Sequence, residues 1–182
     1  MKSLLWWVLR RRVGVGPGDV AIGYSAERLP LMIALAGVLV LETAVVGLLV
    51  PWPVVHVLDV CAVFQVLVVV ARWVTRPHLL RPDALVLRYG TAFEAVVPLD
   101  VVAAVRVRRR HHTGYRSVRR DGDEVSVVVG DQTTVLLELA EPVDVVLPGG
   151  DRCAATALSF HADDPAAAAA MIGGRASACA PG

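Results

Sequence analysis

Two long, nearly uncharged stretches on either side of a proline pair constrain this chain more than anything else in it. Residues 29–50 read LPLMIALAGVLVLETAVVGLLV and carry one ionisable side chain, Glu42. Residues 54–74 read VVHVLDVCAVFQVLVVVARWV and hold His56, Asp59 and Gln65, with Arg72 and Trp73 at their end. As helices rising about 1.5 Å per residue, both are long enough to cross ~30 Å of hydrocarbon. Neither has a polar stripe at helical spacing, which argues against a pair of soluble surface helices. Pro51 and Pro53 bracket Trp52. Proline lacks an N–H and clashes with the preceding turn, so the first helix must stop there and a tight transmembrane hairpin results. Arg72 can snorkel, and the Trp73 indole favours the interface.

Flanking cations give the orientation. Lys2, Arg10, Arg11, Arg12 and Arg28 precede the first span, Arg72, Arg76 and Arg81 follow the second, and the connecting turn has none. This predicts a multi-pass protein of the cell membrane with both termini cytoplasmic. The first apolar run starts too late for a signal peptide and has no small-residue cleavage site. Residues 1–28 form a basic segment. In it Ser3–Leu9, ahead of three arginines, either lies in the interface plane or frays. Gly14–Gly18 reads as a flexible link. It follows no strand, opens no helix and has no lysine, so it is not a phosphate loop.

Hydrophobic residues make up 55% of the chain and charged ones 19%, against roughly 45–50% and about 25% in soluble proteins. That excludes disorder for most of the sequence. The net charge of +1 hides an asymmetry: residues 1–120 sum to +9 and residues 121–182 to −8. A basic half beside a membrane segment suits anionic headgroups. Cys61, Cys153 and Cys179 are odd in number and widely spaced, giving neither a disulfide framework nor a zinc site.

From Pro82 the pattern turns to alternation. Leu85–Tyr89, Phe93–Pro98, Val105–Val107, Val125–Val129, Thr133–Leu139, Val143–Leu147 and Thr156–Phe160 read as seven short antiparallel strands. Gly130-Asp131-Gln132 joins the fourth and fifth as a hairpin. Asp163 or Asp164 caps a helix over 164–172, Pro165 suits its first turn, and Gly173-Gly174 ends it. Residues 174–182 are expected to be a disordered tail. The fold class is therefore a two-helix membrane hairpin (29–50, 54–74) plus a mainly-β barrel or sandwich over 82–173, with a C-terminal helix covering an open end.

Asp83-Ala84-Leu85-Val86-Leu87-Arg88-Tyr89-Gly90 and the run from Ala95-Val96-Val97-Pro98-Leu99 to Val105 resemble the opening of bacterial pleckstrin-homology-like (PH-like) domains. There a strand ending in glycine is followed by one reaching "I-P-L" and then "I-x-x-V". Such domains often follow a two-helix hairpin. The ending Phe160–Pro165 with an alanine-rich helix is similar to small actinobacterial membrane proteins of this kind. The resemblance spans about residues 25–172. It implies a seven-stranded barrel with a C-terminal helix, and no catalytic residue, metal or cofactor.

Two constellations are candidates for function. Arg106, Arg108, Arg109, Arg110, Arg116, Arg119 and Arg120 lie in a window with His111 and His112 and no acid. Arginine forks bind phosphate bidentately, so this window suits anionic lipid. Alternatives are a solvated loop paired with Asp121, Asp123 and Glu124, or nucleic acid; the last is disfavoured because only Tyr115 is there to stack on bases. In the hairpin, Glu42 lies ~14 Å and Asp59 ~11 Å below the turn, and His56 is one turn from Asp59. With Gln65 they could clasp the two helices together, contact another chain, or relay ions; two helices alone cannot enclose a pathway. No nucleophile elbow, phosphate loop, zinc-protease helix or paired-cysteine motif occurs. His78 and His161 read as idle or structural. The expected function is a non-enzymatic binding or scaffold module, without cofactor, whose partners are membrane lipid and a protein or a second copy. The alternative is a subunit of a membrane complex held by its polar intramembrane residues, or a transport accessory.

Overall fold

The computed structural model describes residues 14–49 and 52–179, which divide into two compact units: 25–49 with 52–75, and 14–24 with 76–179. The segment Ser3–Arg12, the turn residue Pro51 and the last three residues of the expected tail lie outside the described residues.

The first unit holds two helices, α1 (Leu29–Leu49) and α2 (Pro53–Thr75). Both are long and apolar enough to cross a membrane. No residue of α1 is buried, whereas the core helix of a soluble protein would be. So much bare apolar surface suggests association with a membrane. α2 opens on Pro53, a position where the missing N–H has no helical partner to lose. Along α1 the half-buried residues Met32, Ala36, Leu39, Thr43 and Val46 recur alternately four and three apart. That is the seam of two packed helices. The Thr43 hydroxyl is satisfied within it, donating to the Leu39 carbonyl at 2.8 Å.

The second unit has nine strands among the described residues: β1 (Val20–Ile22), β2 (His78–Leu80), β3 (Ala84–Tyr89), β4 (Phe93–Pro98), β5 (Val102–His111), β6 (Val118–Asp121), β7 (Glu124–Val127), β8 (Gln132–Val146) and β9 (Arg152–Phe160). One sheet runs β1-β2-β3-β4, the other β5-β8-β9-β7-β6, and neither closes on itself. Between them lies one core that includes Leu85, Leu87, Val97, Val127, Val135, Leu137, Leu158 and Phe160. β4 shows strict alternation, buried then exposed, whereas β3 is buried on both faces, as an inner strand should be.

Four sequence expectations are corrected. The β unit does not begin at Pro82: β1, from before the hairpin, pairs antiparallel with β2, from just after it (Ala21 opposite Leu79). Both are three residues long, too short for alternation to register. The expected hairpin between β7 and β8 is a single bridged pair, Val129 with Gln132. Its turn is as expected, with Gly130 and Asp131 both at positive φ (65° and 59°). β8, however, is already flanked by β5 and β9, so β7 leaves it and runs parallel to β9. The fifth and sixth expected strands are one strand, β8, carried past Pro142 by a bulge in its ladder to β9, where proline's missing N–H is not needed.

Finally, α3 (Pro165–Cys179) does not stop at Gly173-Gly174. Of the two expected caps it is Asp164 that serves, its Oδ1 accepting from the Ala167 N–H at 2.9 Å. Ala168, Ile172 and Ala176 form its buried face. Arg175 then donates to the carbonyls of Leu80 (2.8 Å) and Gly18 (3.1 Å), which holds the last turn despite the glycines. Arg175→Ala should remove about 1–3 kcal/mol. It should also speed hydrogen exchange over residues 173–179 without changing exchange in β8. Unchanged exchange in α3 would mean that the arginine is not its anchor.

Candidate functional site

The arginine window covers the second half of β5, the connection to β6, and β6. Val105 still packs on the core. Beyond it the ladder between β5 and β8 slips: Val107 faces Val135, but Arg110 faces Thr133. The strand gains one residue there. A bulge turns consecutive side chains to the same side instead of alternating them, and Arg106, Val107, Arg108 and Arg109 are all exposed.

The seven arginines divide by partner. Arg106 meets Glu138 at 3.1 Å, with both side chains largely in water. Arg110 bridges Asp121 (3.1 Å) and Glu124 (3.4 Å). Arg120 donates to the Gly122 carbonyl at 2.7 Å and lies 3.9 Å from Asp123. Arg119 donates to the Thr113 carbonyl. Arg108, Arg109 and Arg116 are exposed and make no hydrogen bond or ion pair among the described residues. The adjacent acids therefore neutralise part of the window and leave its outer rim positive. Tyr115, at the tip of the connection, is fully exposed.

Arg116, Arg119 and Arg120 also border an open depression of about 790 Å³, walled on the other side by Tyr89, Leu147, Pro148 and Asp151. Its lining mixes apolar side chains with these three arginines and one acid, Asp151. The His112 ring nitrogen lies 3.0 Å from the Thr133 hydroxyl, and burial, then Arg110 and Arg119, push its pKa below the usual histidine range.

The four hairpin residues are not brought together. Glu42 and Gln65 are exposed, whereas His56 and Asp59 are half-buried. No hydrogen bond or ion pair joins any of them. Glu42 misses the clasp because it is one residue off the packed seam of α1, about 100° around the helix. The His56 ring packs toward Gly47. Asp59 has one carboxylate oxygen buried without a hydrogen-bond partner.

A buried polar cluster escaped the sequence reading. His78 is fully enclosed in β2. Its Nδ1 accepts from the Arg88 N–H at 3.0 Å, which leaves the proton on Nε2, 3.2 Å from the His161 carbonyl. The Tyr24 ring lies 4.7 Å from it and Phe160 meets it edge-on at 5.2 Å. Burial drives its pKa down to about 3. The Tyr24 hydroxyl accepts from the Gly90 N–H at 3.2 Å, and its pKa is raised, chiefly by burial. The apolar His78-Leu79-Leu80 between two prolines was the available signal, but three residues are too few to separate a strand from a linker. Among the described residues no group of three or more His, Cys, Asp or Glu side chains could hold a metal ion.

No protein-family model, curated protein sequence or solved structure matches this chain.

Proposed function

We propose that the chain is a bilayer-anchored, non-enzymatic binding module. The two helices form an in-and-out hairpin in the cell membrane with both termini in the cytoplasm. The β unit is a PH-like domain that docks through its arginine rim on anionic lipid headgroups. The observation that carries the docking reading is the bulge in β5, which turns Arg108 and Arg109 outward together and leaves them, with Arg116, free of acidic partners. The pairing of β1 with β2 supports the hairpin topology: segments on both sides of the two helices join one sheet, which requires an even number of crossings. Positive flanks with an uncharged turn favour the cytoplasmic side for that sheet. A domain tethered this way meets headgroups at high effective concentration, and each free cation near an acidic surface is worth about 1 kcal/mol.

The test uses the full-length protein in nanodiscs of zwitterionic lipid alone or with anionic lipid. Trypsin cleavage after Arg116 should be about tenfold slower on the anionic discs at low salt, and salt should abolish the difference. Replacing Arg108, Arg109 and Arg116 together with serine, and following exchange of the 112–117 backbone, should show the same loss of protection. Equal cleavage on both lipids would overturn the docking reading.

A further inference from the structure

We propose that Thr113 is a phosphorylation site, and that a phosphate there releases the β unit from anionic lipid. The phosphoryl donor is a nucleoside triphosphate, carried by a protein kinase that selects arginine-rich substrates. The proposal adds regulation to the arginine rim, so it rests on the docking reading and on the cytoplasmic side assigned to that rim. Arg108, Arg109 and Arg110 stand five, four and three residues ahead of Thr113. A kinase cleft lined with carboxylates reads guanidinium groups at fixed spacing along an extended substrate. β5 is an end strand of its sheet, so these arginines are presented on an extended backbone. Arg108 and Arg109 are exposed and unpaired among the described residues, and Arg110's partner Asp121 is itself largely in water. From His112 to Ser117 the chain is neither helix nor strand, and Thr113 is exposed. The other hydroxyls of the connection fit less well. Ser117 is half-buried, and its carbonyl accepts the Val128 N–H at 2.7 Å, which ties it to the sheet. Tyr115 has histidines, not arginines, three and four residues before it.

The connection also holds a receptor for the product. Arg119 donates to the Thr113 carbonyl, and its guanidinium lies 3.7 Å from where a Cβ of Gly114 would stand. A phosphate on the Thr113 hydroxyl therefore has a guanidinium beside it, which can close on it through two parallel hydrogen bonds. The acids nearest in sequence are occupied: Asp121 and Glu124 hold Arg110, and Asp123 lies by Arg120. In the transfer the Thr113 hydroxyl oxygen bonds to the γ-phosphorus, and the bond from that phosphorus to the bridging oxygen of the β-phosphate breaks. Nucleoside diphosphate leaves, and the hydroxyl proton passes to the kinase's base. The product carries a charge of about −1.5 to −2 at pH 7. That offsets about two of the free cations Arg108, Arg109 and Arg116, which are the ones the docking uses.

The test starts from the full-length chain isolated from native membranes with phosphatase inhibitors. Tandem mass spectrometry should place a phosphate on Thr113. A chain with none there, or with phosphate only on Tyr115 or Ser117, overturns the proposal. The full-length chain in anionic and in zwitterionic nanodiscs is then treated with ATP and a purified arginine-directed kinase. Phosphate should enter at Thr113, and Arg108→Ser with Arg109→Ser should slow its entry about tenfold. Entry at an equal rate overturns the recognition. Docking is read as the ratio of 112–117 backbone exchange on the two lipids, which cancels any direct effect of the phosphate on exchange. Phosphorylation should bring that ratio to about one, whereas Thr113→Val should keep the ratio of the unmodified chain with or without kinase. A phosphorylated chain that docks as well as the unmodified one overturns the proposal. An unmodified chain that shows no difference between the lipids overturns the docking reading instead.

Discussion

Acidification from pH 7 to about pH 3 should strip on the order of 5 kcal/mol from the β unit through His78 alone. The side chain is neutral and enclosed in the folded protein, with its pKa depressed to about 3 by burial. In the unfolded chain it titrates near the ordinary value of 6.5. Between those two values the unfolded state binds a proton that the folded state cannot accept. Stability is therefore complete above about pH 6.5 and falls as the pH drops toward 3. Tyr24, Tyr89 and Tyr115 all belong to the β unit, and Tyr24 stacks near the imidazole. Near-ultraviolet dichroism of the tyrosines during urea unfolding in mild detergent thus reads the right unit. His78→Gln should be weaker at pH 7, because the Arg88 N–H loses its acceptor, yet its stability should change less between pH 6.5 and 4. An identical pH slope in both proteins would show that His78 is not the titrating group.

Phe160→Ala is expected to cost about 3–5 kcal/mol, at the upper end for core truncations. The ring is fully buried, stands opposite Val135 in the antiparallel ladder and Val127 in the parallel one, and caps the edge of His78. β9 lies between β8 and β7, so a cavity there loosens both ladders. The two predictions are coupled. Opening the space beside His78 admits water and moves its pKa back toward 6.5, so the acid-sensitive window should narrow in the alanine variant. Chemical denaturation at pH 7 measures the first effect, and the pH series measures the second. A loss below 1 kcal/mol would mean that the core can collapse around the missing ring.

What could be read from the residues followed the length of the signal. Twenty-odd apolar residues and a proline pair define α1 and α2 almost to the residue, and the alternation of Phe93, Ala95 and Val97 defines β4. The paired aspartates before Pro165 announced a cap, though not which of the two serves as it. The failures were non-local. β7 reads like half of a hairpin because its turn is one, and only the prior claim of β5 and β9 on both edges of β8 sends it elsewhere. Gly173-Gly174 is a stop signal until Arg175 reaches carbonyls far back in the chain. In the arginine window the composition was plain, but which guanidinium groups stay unpaired depended on a one-residue slip between β5 and β8 that no local pattern encodes. Residue counting puts Glu42 and Asp59 at neighbouring levels; what it does not give is azimuth, and Glu42 is exposed where Asp59 is half-buried.

The pairing of β1 with β2 carries a consequence for biosynthesis. The partner of Val20–Ile22 is synthesised only after both apolar helices. Under the hairpin topology proposed above, the first sheet cannot be completed until the polypeptide has crossed the bilayer twice. A chain whose second helix failed to return would strand β1 on one side of the bilayer and leave β2 as a raw edge on the other, open to aggregation. On that topology, correct insertion is a condition for a finished first sheet.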